Sequence, residues 1–434
     1  MVGRLLRICA GCEWGASRSA LVAVVGVSLL IGACARLSGH LTLPEMGVQD
    51  PSFPLTLGAY TEAATTGGNR VDVLLNGEQI FPAQLKAIRA ARKTITYAQY
   101  FLEDGSPGRE VVDALSERCR AGVHGHVLLD GIGSLNMPPE LRGVLERSGC
   151  EVAVFHPLSP FAIDDLNNRN HRRILVVDGR IGFTGGSGAS SKWMGDGRRT
   201  GYWRQTDVRI EGPVVSDLQA AFAESWRQTT GRILGGEGYF PREPERGRVV
   251  AQIVRSSPRR GSSAMYMMFL LAISSAHRSI AITNPYFVPD EQITEAMVRA
   301  RERGVRVTLL LPGDIDHKIV KEASRAGFGR LLDAGVAIHE YQAGLLHAKM
   351  MTVDGVWGTI GSANLDNRSL ALNDELNLVV YNREMVAQLD RVFAADLTRS
   401  RPISSERWQS RGLWERLIEL LSTPAQTWPV REQL

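Results

Sequence analysis

The chain is written twice, and nothing else in the sequence limits its fold as strongly. AARKTITYAQYF (Ala90–Phe101) returns as SAHRSIAITNPYF (Ser275–Phe287), one residue longer. EVVDALSERCRAGVHGHVLLDG (Glu110–Gly131) returns as ITEAMVRARERGVRVTLLLPG (Ile293–Gly313), and RSGCEVAVFHP (Arg147–Pro157) as DAGVAIHEYQ (Asp333–Gln342). The last echo pairs NHRRILVVDGRIGFTGG (Asn170–Gly186) with LHAKMMTVDGVWGTIGS (Leu346–Ser362). Both members read His-x-basic, four further residues, Asp-Gly, a second strand and a Gly-rich turn. A unit of roughly 180 residues that occurs twice is too long for a solenoid repeat and specifies two similar domains.

Within each copy helices alternate with apolar strands. Helices are predicted over 78–92 and 108–121 and strands over 94–101 and 124–129, an α/β pattern. The first domain is expected at 71–235 and the second at 248–434, separated by the Gly/Pro/Arg-rich stretch Gly231–Gly247. Residues 41–70, rich in Pro, Gly and Thr, read as a linker. Duplicated domains are expected to pack about a pseudo-two-fold axis, as isologous dimers do, so that elements near the axis meet their own copies. MYMMFLLAI (Met265–Ile273) is too short to span a bilayer and reads as a buried helix. Arg407–Pro429 contains an amphipathic helix, suited to packing on the body or lying on a bilayer.

The 434 residues suffice for two or three cores. A net charge of +4 permits an anionic partner, but there is no long basic tract of the kind that tracks nucleic acid. Of the five cysteines, Cys9 and Cys12 form a CxxC without a second pair, which argues against a metal site; Cys119 and Cys150 lie in the body, and no disulfide framework is expected. Arg4, Arg7 and Arg18 precede an apolar stretch, Ser19–Ala35. It is shorter than the ~20 residues that span a bilayer comfortably, but suits a signal-peptide core or a short anchor. Ile31-Gly32-Ala33-Cys34 resembles a lipobox, which would put a lipid on Cys34. Either reading makes 1–40 a membrane-directed segment, with the body on the non-cytoplasmic side.

Arginine is the default cation here: 6 of the 50 basic residues are lysine, and Lys349 is one of them. Residues i and i+2 of a strand face the same way, so His347 projects with Lys349 and His171 with Arg173. Asp178-Gly179 and Asp354-Gly355 suit hairpin turns. The returning strands end in Gly185-Gly186-Ser187 and Gly361-Ser362-Ala363-Asn364, which set backbone N–H groups, Ser187, Ser362 and Asn364 beside the cations as a phosphate cradle. Two histidines meeting at an axis suit a division of labour in which one attacks phosphorus and the other moves the proton of the alcohol. Arg173, Lys349 and Asn364 would stabilise the charged oxygens without a metal. A carboxylate would orient each imidazole, and Asp207 and Glu375 are the candidates. A single His-x-Lys ahead of a strand is ordinarily surface decoration; recurrence with the same spacing in both copies sets this pair apart.

At these residues the chain resembles the phospholipase D superfamily, whose signature is His-x-Lys-x4-Asp in two copies. The second copy matches through His347, Lys349, Asp354, Ser362 and Asn364; the first through His171 and Asp178, with Arg173 in the lysine position and Gly188 in that of Asn364. NPYFVPDE (Asn284–Glu291), GSANLDNRSLALNDELN (Gly361–Asn377) and YWRQTDVRIEGP (Tyr202–Pro213) look most like the bacterial cardiolipin synthase branch. That resemblance implies two phospholipase D-like domains with the site at their interface. It implies phosphatidyl transfer between two phosphatidylglycerol molecules with release of glycerol, through a phosphohistidine on His171, with His347 as acid and base and no cofactor. The alternatives are a phospholipase or nuclease of the same superfamily, and a binding protein whose site has decayed.

Overall fold

A strand that is apolar at every position needs cover on both faces. The computed structural model, which describes residues 41–158, 167–313, 321 and 324–409, supplies that cover with helices around one large mixed sheet. The first copy contributes β1 (Thr66–Leu75), β2 (Thr94–Gln99), β3 (His124–Asp130), β4 (Glu151–Phe155), β5 (Ile174–Val177), β6 (Ile181–Thr184), the short β7 (Trp203–Arg204) and β8 (Thr206–Glu211). The second contributes β9 (Val249–Ser256), β10 (Ser279–Thr283), β11 (Phe287–Val288), β12 (Arg306–Pro312), β13 (Ala337–Tyr341), β14 (Leu345–Leu346), β15 (Met350–Val353), β16 (Trp357–Gly361), β17 (Leu365–Asp366), β18 (Glu375–Tyr381) and β19 (Ser400–Ile403).

Fifteen of these strands form one sheet in the order β19-β13-β12-β10-β15-β16-β18-β9-β1-β8-β6-β5-β2-β3-β4. Outward from the β9–β1 pair the two arms repeat one another: β18, β16, β15, β10, β12, β13 on one side and β8, β6, β5, β2, β3, β4 on the other. The duplication is therefore a pseudo-two-fold that runs between β1 and β9, which pair antiparallel at Thr66↔Ala251 and Asn69↔Val249. In each arm three strands run parallel, and the His-x-basic hairpin lies antiparallel beside them.

The turn of each hairpin is set by Asp-Gly. Asp178 and Asp354 have φ of 53° and 55°, and Gly179 and Gly355 both have 68°. Positive φ at both central residues is the two-residue geometry that matches strand twist. The Asp178 carboxylate accepts the backbone N–H groups of Arg92, Lys93 and Thr94, and Asp354 those of His277, Arg278 and Ser279. Each aspartate thus ties its turn to the residues that lead into β2 or β10.

The helix Ala264–Ser274 carries MYMMFLLAI and is buried on nearly every side, as its composition requires. Two expectations need correction. Residues 41–70 are more than a linker: Phe53–Thr61 is a helix whose Phe53 and Leu57, one turn apart, are buried with Met265 and Met268 in the core of the second copy. And Cys119 and Cys150, at the end of the helix Gly108–Arg120 and just ahead of β4, form a disulfide across a Cα–Cα distance of 5.4 Å. Gly125 makes room for it, since a Cβ there would lie 2.4 Å from the Cys119 sulfur. Residues 1–40, including Cys34, and 410–434 lie outside the described residues. Trp408, at the edge of the latter, is buried against Phe328 with ring centroids 5.4 Å apart. Among the described residues no helix is long and apolar enough to cross a membrane.

Candidate active site

The hairpin places His171 just ahead of β5 and His347 just ahead of β15, so both open from the same edge of the sheet. What fixes them is the opposite half. The backbone N–H of His171 donates to the carbonyl of Asp374 (2.9 Å), and that of His347 to the carbonyl of Arg204 (2.8 Å). Neighbouring bridges follow the same symmetry, Asn170↔Asp374 and Leu346↔Arg204. Each histidine is held by the strand that enters β18 or β8 of the other copy.

His171 is completely buried, and its Nδ1 lies 2.8 and 2.9 Å from the two oxygens of Glu375. The same carboxylate accepts from Ser362 Oγ (2.5 Å) and Ser369 Oγ (2.7 Å). With Glu375 on Nδ1, attack on a phosphorus atom would come from Nε2. Burial pushes Glu375 up to about 7 against the pull of the two serines, Arg173 and Lys349. Burial, then Arg173 and Lys349, hold the His171 imidazole well below its usual range, so it rests neutral and keeps its lone pair. Tyr100 packs edge-on against it at 5.4 Å.

His347 lives in an aromatic box. Trp203 lies 4.9 Å, Trp193 5.3 Å and Tyr286 6.3 Å from its ring centroid. Its imidazole is also held far below the ordinary range, first by burial and then by Lys349, Arg173 and His171. Arg173 and Lys349 disfavour a proton on both rings, and His171 does so on His347.

Lys349 Nζ donates to the His347 carbonyl (2.9 Å) and lies 3.1 Å from its ring nitrogens. Arg173 donates through Nη1 to the His171 carbonyl, lies 5.3 Å from the Tyr100 ring centroid, and is depressed to about 10 by burial. Its Nε and Nη2 have no hydrogen-bond partner among the described residues, and neither has the side-chain amide of Asn364. Unsatisfied buried donors are costly, and a tetrahedral oxyanion would satisfy these.

The expected set therefore divides. His171, Arg173, His347, Lys349 and Glu375 act on one another in one buried site, and Asn364 is tied beside it through its N–H to Ser369 Oγ (3.1 Å), which serves Glu375. Asp178 and Asp354 sit at the other end of the hairpin, about 20 Å along the strand from their histidines, where they lock turns. The hydroxyls of Ser187 and Ser362 are turned toward Asp207 and Glu375 rather than toward the open donors. Asp207 accepts from Gly186 N–H (3.0 Å), Gln205 Nε2 (2.7 Å) and Ser187, and makes no hydrogen bond to His347 among the described residues. Gly188 stands where Asn364 does because a Cβ there would lie 2.7 Å from Trp193 and 2.8 Å from Phe101. Sequence reasoning did not single out Tyr100, Tyr286, Trp193, Trp203 or Gln205. The signal for the tyrosines was present, since AQYF and NPYF occupy matching places in the first echo. No group of three or more candidate metal ligands occurs among the described residues.

Comparisons with known proteins place the chain in a family. The model of the cardiolipin synthase PLD-like domain matches residues 85–226 and 269–397, one stretch in each half. A cardiolipin synthase of Geobacillus sp. (strain WCH70) is 37% identical over 81% of this chain and 70% of its own length. One from Staphylococcus aureus (strain Mu50 / ATCC 700699) is 33% identical over 84% of this chain and 74% of its own. Among solved structures, phosphatidylserine synthase of Haemophilus influenzae Rd KW20 superposes with a TM-score of 0.59 at 12% identity, covering 81% of this chain and 91% of that one. Polyphosphate kinase of Porphyromonas gingivalis gives 0.53 at 12% identity over 90% and 57%. At that identity the two structures speak for the fold alone.

Proposed function

The chain belongs to the family of cardiolipin synthase PLD-like domains, and on that premise we propose that it is a phosphatidyltransferase that makes cardiolipin from two molecules of phosphatidylglycerol and releases glycerol. The observation that carries the reading is the cross-held histidine pair around Arg173 and Lys349. His171 Nε2 attacks the phosphorus of the first lipid, and the bond from phosphorus to the terminal glycerol oxygen breaks. That oxygen takes its proton from His347 and leaves as glycerol. A hydroxyl of the second lipid's glycerol then gives its proton to His347, its oxygen attacks phosphorus, and the P–N bond breaks. One phosphodiester replaces another, so no nucleotide is consumed.

The depressed basicity of His347 fits this cycle. Arg173 and Lys349 repel its proton in the resting site, and the entering phosphodiester anion offsets them, returning proton affinity when an acid is required. Arg173 Nε and Nη2 and the Asn364 amide are free to receive the equatorial oxygens of the five-coordinate transition state. Water is the competing acceptor. A site in which His171, His347, Arg173, Lys349 and Glu375 are all buried limits its access, and a bilayer supplies the second lipid at high local concentration. We read the protein as acting at a bacterial membrane, with 1–40 as its tether.

The test is purified protein in detergent micelles with phosphatidylglycerol, followed by resolution of the lipid products. Cardiolipin and glycerol are expected. Phosphatidic acid as the sole product would make it a hydrolase, and no turnover would make it a binding protein. His347→Ala is expected to abolish transfer, with a loss of at least about a thousandfold; activity near wild type would remove His347 from the chemistry.

A further inference from the structure

The two halves differ at the group that faces each imidazole. β6 and β8 pair at Thr184↔Val208, and β16 and β18 at Ile360↔Leu378 and Gly361↔Asn377. Thr184 and Ile360 hold matching places, opposite Ile174 and Met350. Asp207 is therefore the counterpart of Asn377, and Gln205 that of Glu375. The cross-half bonds give the same answer: His347 is held by Arg204 and His171 by Asp374, and the next residues are Gln205 and Glu375. An acid and an amide two residues apart are present in both halves, in opposite order.

The surroundings of Gln205 follow from that exchange. It is fully buried, and Nε2 donates to the Thr206 carbonyl (3.0 Å) and to Asp207 Oδ1 (2.7 Å). Those acceptors fix which end of the amide is which, and leave Oε1 buried with no partner among the described residues. Gly186 replaces the Ser362 hydroxyl that serves Glu375. A Cβ at Gly186 would lie 3.0 Å from Gln205 Nε2, 3.4 Å from Oε1 and 3.0 Å from Lys349 Cδ, so Gln205 and the Lys349 stem that leads to His347 meet at this glycine. The backbone of Gly186 bears on the His347 ring as that of Ser362 does on His171.

We propose that Gln205 is the positioning residue of His347: it holds the place from which Glu375 serves His171, and its amide oxygen, without a hydrogen-bond partner among the described residues, is the acceptor for the imidazolium once His347 takes up a proton, while Asp207 polarises the amide from behind. The inference rests on the transfer mechanism above and deepens it. A full carboxylate against His171 stabilises charge on the ring that becomes phosphorylated. A neutral acceptor against His347 orients that ring without fixing a proton on it, which suits a group that must give and regain one proton per turnover. The transposition fits the roles that the transfer mechanism gives the two rings.

The experiment exchanges the order. Gln205→Glu with Asp207→Asn keeps the charge and copies Glu375 and Asn377; the partner construction, Glu375→Gln with Asn377→Asp, does the reverse. NMR of protein carrying ¹³C-labelled histidine, with His347→Ala and His171→Ala to assign the signals, follows each ring in resting protein without lipid. The first exchange is expected to raise the His347 midpoint by one pH unit or more, a tenfold change in proton affinity, and to leave His171 in place. The second is expected to lower His171 alone. In turnover the first exchange should move the alkaline limb of kcat upward by a similar amount, and Gln205→Ala should lower kcat about tenfold or more with KM within about twofold. A folded first-exchange protein whose His347 midpoint does not move overturns the proposal. So does Gln205→Ala with unchanged kcat. The titration needs no substrate, so absence of cardiolipin synthesis would defeat the functional reading and leave this one to be decided by the midpoints.

Discussion

At the scale of single residues, the buried acid beside His171 ties activity to pH. Burial lifts Glu375 to about 7, so the carboxylate fraction grows as pH rises through that value. If the ionised form orients His171, kcat/KM climbs with pH across the same interval, and Glu375→Gln flattens that limb while lowering the rate about a hundredfold. A pH–rate profile of the two proteins checks this; a limb that survives the substitution would assign it to another group. Gly188 makes the opposite kind of case. Restoring the amide of the second copy looks harmless in sequence, yet a Cβ at 188 meets the Trp193 ring at 2.7 Å and Phe101 at 2.8 Å. Trp193 also walls His347. Gly188→Asn is therefore expected to cost about 1–3 kcal/mol of stability by overpacking and to slow transfer, both measurable by thermal melts and initial rates.

At the scale of elements, the Asp-Gly hairpins carry the motif without joining its chemistry. Asp354 is buried and accepts three backbone N–H groups. Asp354→Ala leaves those donors unpaired and should destabilise by about 3 kcal/mol, with kcat preserved at a temperature where the protein stays folded; a large loss of kcat there would restore Asp354 to the site. The same scale explains what the sequence did and did not disclose. His171, Arg173, His347 and Lys349 were legible because strand period and the echo fix their faces; Glu375 was offered only as a carboxylate that follows the motif of its own copy, and it serves the histidine of the other. Gln205 was not legible, because 17 positions separate it from Gly188 where 11 separate Glu375 from Asn364. The extra loop hides the match until strand register reveals it. Asp207, an acid at a nearby position, took its place in the reading. Phe53 and Leu57 were masked by a Pro/Gly/Thr-rich setting. The Cys119–Cys150 bridge spans 31 residues and depends on where a helix end meets a strand start, which no local spacing encodes.

At the scale of the whole molecule, the halves are not independent domains that happen to touch. One sheet runs through both, and each histidine hangs from a carbonyl of the other half. A further tie beside the site is the buried ion pair of Arg204 with Asp396, which lies on the helix Arg383–Leu397: Nε to Oδ1 and Nη2 to Oδ2 are both 3.0 Å. Arg204 Nη1 turns instead to the first half, donating to Thr206 Oγ1 (3.0 Å) and Asn76 Oδ1 (3.3 Å). Its carbonyl receives the His347 N–H, so one residue couples the seam to the acid–base group. Asp396→Asn removes the countercharge and leaves a buried guanidinium, a change expected to cost about 3–5 kcal/mol. If the seam only adds stability, this protein and Asp354→Ala, compared at a temperature where both are folded, keep the same kcat. If the seam sets the placement of His347, Asp396→Asn loses kcat as well, while its phosphatidylglycerol KM stays near that of the parent. We expect the second outcome, because no covalent bond within the second half fixes His347 against the aromatic box of Trp193 and Trp203, both of which belong to the first.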